Sequence, residues 1–295
     1  MKENLRIKFY CRSFDLRLYR ISKRFYEDMG YPCIRLIDQS ADGYFYTMLA
    51  DTDCDIAINV DEDCFISDPQ AVLDLVDYVV ANGYANCGCP DGGGNAPRHA
   101  NPLVTNPFFN ILDLRLIRTK FSKEAVKNFR YEEHKQAMIA AYPQERLETA
   151  YTFDRPQIIE PYYQFFLWQA ANFKTLYLPT TRHTDGWTTI LYNPQGRALC
   201  AHSWLARYYS VPSFIAGRLQ KNVGKQKSRI DALIHEVAAQ RGITIYRERI
   251  WETLWYAADK TLRWIIKVPQ RIAAWPAKYR RYHSHSLCQH IGCQR

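Results

Sequence analysis

Apolar residues follow two different spacings along the first ninety residues. Segments typical of strands occupy residues 5–11, 33–37, 55–60 and 84–89, and the short apolar run at 33–37 suits a strand buried on both faces. Apolar residues three or four apart, which are typical of helices, occupy the segments between them, at 14–29, at 44–49 and from Pro69 onward. The pair Asp68-Pro69 is a typical helix start, and Gly30 is a typical helix end. Strands that alternate with helices predict an open, mainly parallel α/β sheet whose ligands bind beyond the carboxyl ends of its strands.

The alternation weakens after residue 90, where residues 91–107 are rich in Gly, Asn and Pro. This composition predicts a loop. The run Gly92-Gly93-Gly94 indicates either a close approach of two backbones or a flexible flap, and it lacks the Gly-Lys-Ser/Thr ending of a phosphate-binding loop. Two more helices and a short strand are predicted, at residues 121–150, 158–171 and 176–179.

Charge divides the chain into two parts. The 295 residues carry a formal net charge of +9, yet the chain from Ser203 onward holds 17 Lys and Arg against 5 Asp and Glu. The preceding 202 residues hold 22 and 25. The pattern also predicts only helices beyond residue 214. We therefore expect an α/β domain over residues 1–213 and a basic helical extension over residues 214–295.

Composition narrows the class of protein further. With 47% hydrophobic and 23% charged residues, the chain has the composition of a globular protein and not of a disordered or collagen-like one. Its nine cysteines, spread from Cys11 to Cys293, do not resemble a secreted disulfide framework. There is no run of 18 apolar residues, and the first residues lack the apolar stretch of a signal peptide. We expect a cytoplasmic protein with reduced thiols.

The third predicted strand ends in Val60-Asp61-Glu62-Asp63. In an extended segment Asp61 and Asp63 point to one side and Glu62 points to the other. Two carboxylates on one side, at the mouth of a parallel sheet, suit Mg²⁺ or Mn²⁺, which in turn bridges phosphates. The alternative is an acidic turn that caps the next helix.

A β-α-β-α-β pattern that ends in a strand and Asp-x-Asp resembles the donor-binding half of the GT-A glycosyltransferases. Three later segments extend the resemblance over roughly residues 3–210. The first, Asn106 to Leu114, is similar to the family's F-N-x-G…I-N-L segment, with Phe108 in place of the glycine. The second, Glu160-Pro161-Tyr162-Tyr163 followed by Leu176-Tyr177-Leu178-Pro179, is similar to the family's acidic-residue helix and the L-P strand after it. The third, Cys200-Ala201-His202-Ser203-Trp204, resembles the late segment whose histidine completes the metal site. The resemblance implies a Rossmann-like GT-A domain with a mixed, mainly parallel sheet flanked by helices.

The resemblance also implies a metal site. Asp63 would be a direct ligand of Mn²⁺ or Mg²⁺, and Asp61 would bind the metal through water or contact the ribose of the donor. His202 would supply a neutral nitrogen, which favours Mn²⁺ over Mg²⁺. His183 is the rival histidine.

Further residues are implied in donor binding and in catalysis. Asn106 matches the family position that contacts the donor sugar. Arg12 and Asp38 follow the first two strands, where a nucleotide base and ribose would bind. A carboxylate would deprotonate the acceptor hydroxyl in an inverting enzyme, or lie beneath the anomeric carbon in a retaining one. The candidates for it are Glu160, Asp154 and Asp185, in that order.

The basic C-terminal part contains an amphipathic helix. Its apolar stripe comprises Ile250, Trp251, Leu254, Trp255, Ala258, Leu262 and Ile265, and its cations are Lys260, Arg263, Lys267 and Arg271. Two interpretations stay open: the stripe binds a membrane surface, or it packs on the catalytic domain. Nucleic acid is disfavoured, because no nucleic-acid-binding motif accompanies the charge.

Together these patterns predict a metal-dependent, hexosyltransferase-like glycosyltransferase. Its donor would be a nucleotide-sugar, with UDP-sugars first, and its acceptor a glycan or lipid-linked saccharide in bacterial polysaccharide or lipopolysaccharide synthesis. It would be cytoplasmic, with peripheral association at the cytoplasmic face of the membrane as an option. The alternatives are a nucleotidyltransferase on the same type of sheet, although Phe9 to Ser13 lacks the glycine-rich loop, and a non-enzymatic adaptor for membranes or nucleic acid.

Overall fold

The structure is a computed structural model that describes residues 5–37, 43–143, 151–154, 160–206, 209, 223–245, 251, 254–256, 258–259 and 261–262. Within these ranges the strands are β1 (Ile7–Arg12), β2 (Cys33–Leu36), β3 (Ile56–Val60), β4 (Cys64–Ile66), β5 (Asn86–Gly88), β6 (Phe109–Asp113), β7 (Thr175–Tyr177), β8 (Thr180–Arg182), β9 (Thr189–Tyr192) and β10 (Ala198–His202). The α-helices are α1 (Leu16–Lys23), α2 (Gly43–Ala50), α3 (Pro69–Ala81), α4 (Leu114–Arg118), α5 (Lys123–Asn128), α6 (Tyr131–Ala141), α7 (Tyr163–Asn172) and α8 (Val223–Arg241).

The central sheet has six strands in the order β2-β1-β3-β6-β5-β7. Strands β1, β2 and β3 pair in parallel, as do β5 and β7, whereas β6 runs antiparallel to both of its neighbours. Helices cover both faces of this sheet. The predicted fold class, a mixed, mainly parallel α/β sheet flanked by helices, is therefore confirmed.

A second, antiparallel sheet has the order β4-β10-β9-β8. The sequence pattern predicted none of these four strands, and it also missed β6. Strand β4 follows β3 after a turn of only three residues, so the two sheets meet at the carboxyl end of β3. This junction is where the acidic motif lies.

The two faces of the central sheet support separate hydrophobic cores, and alternate residues of β3 enter them. Ile56, Ile58 and Val60 pack with α1, α3, α8 and the second sheet, whereas Ala57 packs with α2 and α4 to α7. Helix α3 begins as predicted: the Asp68 side chain accepts a hydrogen bond from the amide of Ala71, and a proline occupies the first turn.

Strand β2 differs from its prediction. It forms as expected at Cys33–Leu36, but it lies at the edge of the sheet. Ile34 within the strand and Ile37 directly after it are more than one third exposed, so the expectation of a strand buried on both faces is wrong. An apolar run of this length reveals a strand but not its position in the sheet.

The C-terminal part contributes a helix to the core of the α/β domain, and the predicted boundary after residue 213 stays a prediction. Helix α8 buries Ile230, Ile234 and Val237 in the core beneath β3, and the compact unit that contains it is Met1–Ile245. The second unit is Tyr246–Arg295. Of the described residues, none belongs to a helix that is both long and apolar enough to cross a bilayer.

The entry to β3 carries an ion pair with a testable pH dependence. Asp55 accepts hydrogen bonds from the Arg6 guanidinium, at 2.7 and 3.0 Å, and from the Arg6 amide. These hydrogen bonds from Arg6, set against a smaller effect of burial, lower the pKa of Asp55 to about 2. Between pH 3.8 and 2 the native carboxyl therefore binds fewer protons than the unfolded one, and stability is lost as the pH falls.

We expect Asp55→Asn to remove this contribution of the Arg6 ion pair. At pH 5 the variant should have a lower free energy of unfolding than wild type, and this deficit should be about 1 kcal/mol larger at pH 5 than at pH 2. The expected deficit is small because Arg6 is half exposed and solvent weakens the ion pair. Urea titrations at both pH values measure the difference. Asp53→Asn, which removes an exposed partner of the same arginine, is the control and should show almost no pH dependence. A difference between Asp55→Asn and wild type that is the same at both pH values would contradict the assignment.

Candidate functional site

A tight turn at the end of β3 positions the acidic motif. The Asp61 amide donates to the carbonyl of Phe108, which extends the β3–β6 ladder, and the Cys64 amide donates back to the Asp61 carbonyl at 3.0 Å. Asp61 and Asp63 face one side and Glu62 the other, as predicted, although through a turn rather than an extended strand. The Glu62 carboxylate accepts from the Ser13 hydroxyl and from the amides of Phe14 and Asp15.

Pairing between β4 and β10 brings a histidine to the two aspartates. His202 lies opposite Cys64 in the register, and its Nε2 is 3.2 Å from Oδ1 of Asp63. One ligand atom from each of Asp61, Asp63 and His202 lies within 4.8 Å of the others. His183, the alternative histidine ligand, lies elsewhere, with its Nε2 at 3.3 Å from Oε1 of Glu236. The residues that the sequence nominated as metal ligands therefore form one cluster.

Aromatic rings and hydrogen bonds fix the orientation of these ligands. The His202 imidazole stacks on Phe108 at 4.3 Å and contacts Trp204 at 4.5 Å between ring centroids. The Trp204 indole N–H donates to the Thr189 hydroxyl at 2.9 Å. The Ser203 hydroxyl donates to Oδ2 of Asp63 at 3.2 Å. A ligand set held in this way keeps its geometry without an ion.

The electrostatics of the cluster fit a cation. Burial and the charge of Asp63, set against Arg12 and His202, raise the pKa of Asp61 to about 7. Burial would raise the pKa of Asp63 too, but the charge and hydrogen bond of His202 and the hydroxyl of Ser203 lower it. Oδ1 of Asp61 and Nδ1 of His202 are buried and have no hydrogen-bond partner among the described residues. Two carboxylate oxygens and an imidazole nitrogen suit Mn²⁺ or Mg²⁺.

The cluster opens into a cavity of about 520 Å³. Its wall includes the acids Glu62 and Glu160, the cations Arg12 and Arg98, and aromatic rings of Phe14, Tyr162 and Trp204. The Arg98 guanidinium lies 5.2 Å from the centre of the Trp204 ring. A larger cavity of about 640 Å³, between α6, α7 and β7, contains none of the candidate residues. The smaller cavity is therefore the candidate functional site.

Asn106 lines this cavity and is held from behind by a buried carboxylate. Its Nδ2 donates to Oδ1 of Asp91 at 2.7 Å, and its Oδ1 accepts from the amide of Phe108. The hydroxyls of Tyr162 and Tyr163 also donate to Asp91. Burial raises the pKa of Asp91 in spite of these hydrogen bonds. The network fixes one face of the amide toward the cavity.

The glycine run fixes the loop that carries Arg98 and Asn106. Gly92 has φ +92°, and a Cβ atom there would lie 2.7 Å from the backbone of Arg98 and His99. A Cβ atom on Gly94 would lie 2.6 Å from the carbonyl oxygen of Thr181 in β8. The run thus serves the close approach of two backbones, the first of its two predicted roles.

Helix α8 supports the His202 segment from outside the cavity. Arg229, whose side chain is only 11% exposed, donates to the carbonyl of Ser203 at 2.6 Å and to that of Trp204 at 3.2 Å. It also forms a 3.0 Å ion pair with Asp185. The segment it holds is strained, since Trp204 and Leu205 adopt φ values of 60° and 62°.

The remaining predicted site residues lie in different places. Arg12 and Glu160 line the cavity. Asp154 is 79% exposed and pairs with Lys135. Asp185 accepts hydrogen bonds from Arg229 and from the turn at Trp187 and Thr188. Burial alone would raise the pKa of Asp185, but these hydrogen bonds outweigh it and lower that pKa. Asp38 lies outside the described residues. Of the three carboxylates nominated for catalysis, the structure brings only Glu160 to the cavity; the role of each stays a prediction.

Several contributors to the site were not nominated from the sequence, among them Phe108, Trp204, Arg98 and Arg229. Phe108 and Trp204 flank nominated residues, so their aromatic character next to Asn106 and His202 was a usable signal. Arg98 lies in the glycine-rich loop, and a single cation among small residues was a weaker sequence signal. Arg229 contacts the site from a helix that the pattern assigned to a separate extension, and nothing in the local sequence marks it.

Comparisons with known proteins give distant matches. No protein-family model and no curated protein matches the chain. Solved structures that align with it include a protein from STIV (12% identity, 66% of this chain and 93% of that chain, TM-score 0.39). Another is a glycosyltransferase involved in the glycosylation of the major capsid of PBCV-1 (13% identity, 50% of this chain and 79% of that chain, TM-score 0.28). At TM-scores below 0.5, neither alignment assigns a function to the chain.

Proposed function

We propose that this chain is a metal-dependent glycosyltransferase. It moves a sugar from a nucleoside-diphosphate donor, with UDP-sugars as the first candidates, to a glycan or lipid-linked saccharide. The observation that carries the proposal is the cluster of Asp61, Asp63 and His202, which opens into the cavity at the carboxyl end of β3. That edge of a mainly parallel sheet is where ligands bind.

Apart from Glu62, whose carboxylate is held by the turn between β1 and α1, each charged group on the cavity has a role in this reaction. Asp61, Asp63 and His202 hold the divalent cation, which neutralises the charge that develops on the diphosphate leaving group. The nitrogen ligand favours Mn²⁺ over Mg²⁺. Arg12 and Arg98 provide cationic groups on the same wall for the anionic donor. Glu160 accepts the proton of the acceptor hydroxyl.

The turn between β1 and α1 favours this reaction over nucleotidyl transfer. A nucleotidyltransferase would use free backbone amides in that turn to bind a triphosphate. Here the amides of Phe14 and Asp15 already donate to Glu62, at 3.0 and 2.8 Å. The cations on the cavity wall, Arg12 and Arg98, suit a diphosphate held by a metal.

Ligand-induced thermal stabilisation tests the donor site directly. The protein is heated with UDP, GDP, CDP, ADP or dTDP, each with Mn²⁺, with Mg²⁺ or with EDTA. We expect one diphosphate to stabilise the fold by about 2.7 kcal/mol at 100 times its dissociation constant, and only with a metal. That diphosphate identifies the base of the donor, and hydrolysis of the corresponding nucleotide-sugars then identifies the sugar. No stabilisation by any pair, in a protein that unfolds cooperatively, would overturn the proposal and favour the adaptor.

Glu160→Gln tests the assignment of the base. The variant keeps the shape of the side chain but cannot accept a proton. We expect kcat to fall about 100-fold, with little change in the donor KM. Glu133→Gln, an exposed residue of the same type in α6, is the matched control and should behave like wild type. A kcat within threefold of wild type would exclude Glu160 as the base.

A further inference from the structure

Large apolar side chains are exposed together on one helical face near the C-terminus. The described residues between 251 and 262 are helical. Trp251, Leu254, Trp255 and Leu262 are 78%, 56%, 61% and 60% exposed. At 100° per residue they lie within an arc of about 100°, with Ala258 between them. Of the other large apolar side chains that are exposed in the described chain, Phe14 and Trp187 occur singly, and Ile34 and Ile37 lie in and just after the edge strand β2 at 37% and 40% exposure.

Cations surround this stripe in the sequence. Residues 246–295 hold 10 Lys and Arg against 3 Asp and Glu. Four of these cations, Lys260, Arg263, Lys267 and Arg271, lie outside the described residues. The unit that bears the exposed tryptophans is therefore strongly basic, which suits an anionic partner.

We propose that this stripe, Trp251, Leu254, Trp255 and Leu262, is a docking surface for anionic lipid bilayers. Tryptophan and leucine on one face enter the boundary between headgroups and acyl chains, where the indole keeps its N–H in a polar layer. Lysine and arginine add attraction to anionic headgroups. The stripe covers one face of the helix, which fits a helix that lies in the interface.

Two other occupants fit the stripe less well. Nucleic acid would bind the cations and stack on aromatic rings, yet it would leave Leu254 and Leu262 exposed to water. A second copy of the chain would cover the apolar face but would bring two basic units together. A bilayer with anionic headgroups accommodates both the leucines and the charge.

Vesicle co-sedimentation tests the proposal with the full chain. Vesicles of phosphatidylcholine alone and with 30% phosphatidylglycerol are compared at low and high salt. We expect at least tenfold tighter binding to the anionic vesicles, weakened by 0.5 M NaCl. The double variant Trp251→Ser/Trp255→Ser should lose at least another tenfold. Trp187→Ser, an exposed tryptophan in the other unit, is the matched control and should bind like wild type.

A second readout separates lipid insertion from the alternatives. Dibrominated lipids quench tryptophans that lie within the bilayer, so they should quench wild type and Trp187→Ser much more strongly than the double variant, which keeps Trp264 and Trp275. Equal vesicle binding by the double variant and wild type would overturn the proposal, as would no binding of the folded wild type. So would a stripe that is buried by dimerisation in light scattering, or binding that a short DNA duplex matches in affinity. Trp251 and Trp255 are not among the residues that line the cavity, so we expect the double variant to bind the donor like wild type, and this surface and the proposed function fail or succeed separately.

Discussion

Asp63→Asn is expected to abolish metal-dependent binding of the nucleoside diphosphate and to lower turnover at least about 1000-fold. Asp63 is almost fully buried, with Oδ1 at 3.2 Å from His202 and Oδ2 at 3.2 Å from Ser203. Asparagine preserves the shape and the hydrogen bond from Ser203 but removes the charge that a divalent cation needs. The Asp63 carbonyl still accepts from the Ser203 amide, so the turn should persist.

Calorimetric titration of Mn²⁺, and of the stabilising diphosphate in the presence of Mn²⁺, measures the loss. Asp74→Asn is the matched control, because that carboxylate is nearly half exposed and pairs with Arg197 on the surface. Wild type and Asp74→Asn should give equal affinities, whereas Asp63→Asn should give no measurable heat. Circular dichroism verifies that Asp63→Asn is folded. If that folded variant bound Mn²⁺ and the diphosphate within threefold of wild type, the metal assignment would be wrong.

Arg229→Gln is expected to destabilise the fold by about 3 kcal/mol, the largest effect on stability that we predict. The guanidinium donates to the carbonyls of Ser203 and Trp204 and pairs with Asp185 in a setting almost closed to solvent. Glutamine cannot reach all of these acceptors, and a largely buried carboxylate is left without its partner. The strained backbone at Trp204 and Leu205 also loses the contact that holds it.

Thermal unfolding measures this effect, and a fall in melting temperature of about 6–12 °C is expected. Arg197→Gln is the matched control: that arginine is 45% exposed and pairs with Asp68 and Asp74 on the surface, so its loss should lower the melting temperature far less. Below its melting temperature, Arg229→Gln should also bind Mn²⁺ more weakly, because His202 and Ser203 belong to the backbone segment that Arg229 holds in place. Equal stability of the two arginine variants would refute this role of α8.

The local pattern of apolar and polar residues was sufficient to predict those helices and strands whose own residues specify them. Strand β3 is five buried residues long, and α3 has both a capping aspartate and a proline at its start, so each could be predicted from its own residues. Strand β4 has only three residues and follows β3 after a tight turn, and the pattern merged it with the loop before α3. Its strand character comes from pairing with β10, more than 130 residues away. No periodicity within a short window reports such a partner.

The same limit applies to the site. Asp61 and Asp63 are neighbours in the chain, so their position after a strand indicated a shared side. His202 was nominated by the resemblance to a family and not by any local rule, and Arg229 was not nominated at all. Both reach the site through tertiary contacts, between β4 and β10 and between α8 and the Ser203–Trp204 backbone. Asp185 shows the reverse: it was nominated for chemistry, yet the structure engages it with Arg229 and a turn.

The separation of the ligands along the chain has a consequence for biosynthesis. A ribosome that adds 5–20 residues per second needs roughly 7–30 s to proceed from Asp63 to His202. During that interval the nascent chain carries the aspartate pair with neither the imidazole nor the Ser203 hydroxyl beside it. Helix α8, which secures the histidine segment, emerges later still. The nascent protein therefore acquires its complete set of ligands only after β7, the last strand of the central sheet along the chain, has been made.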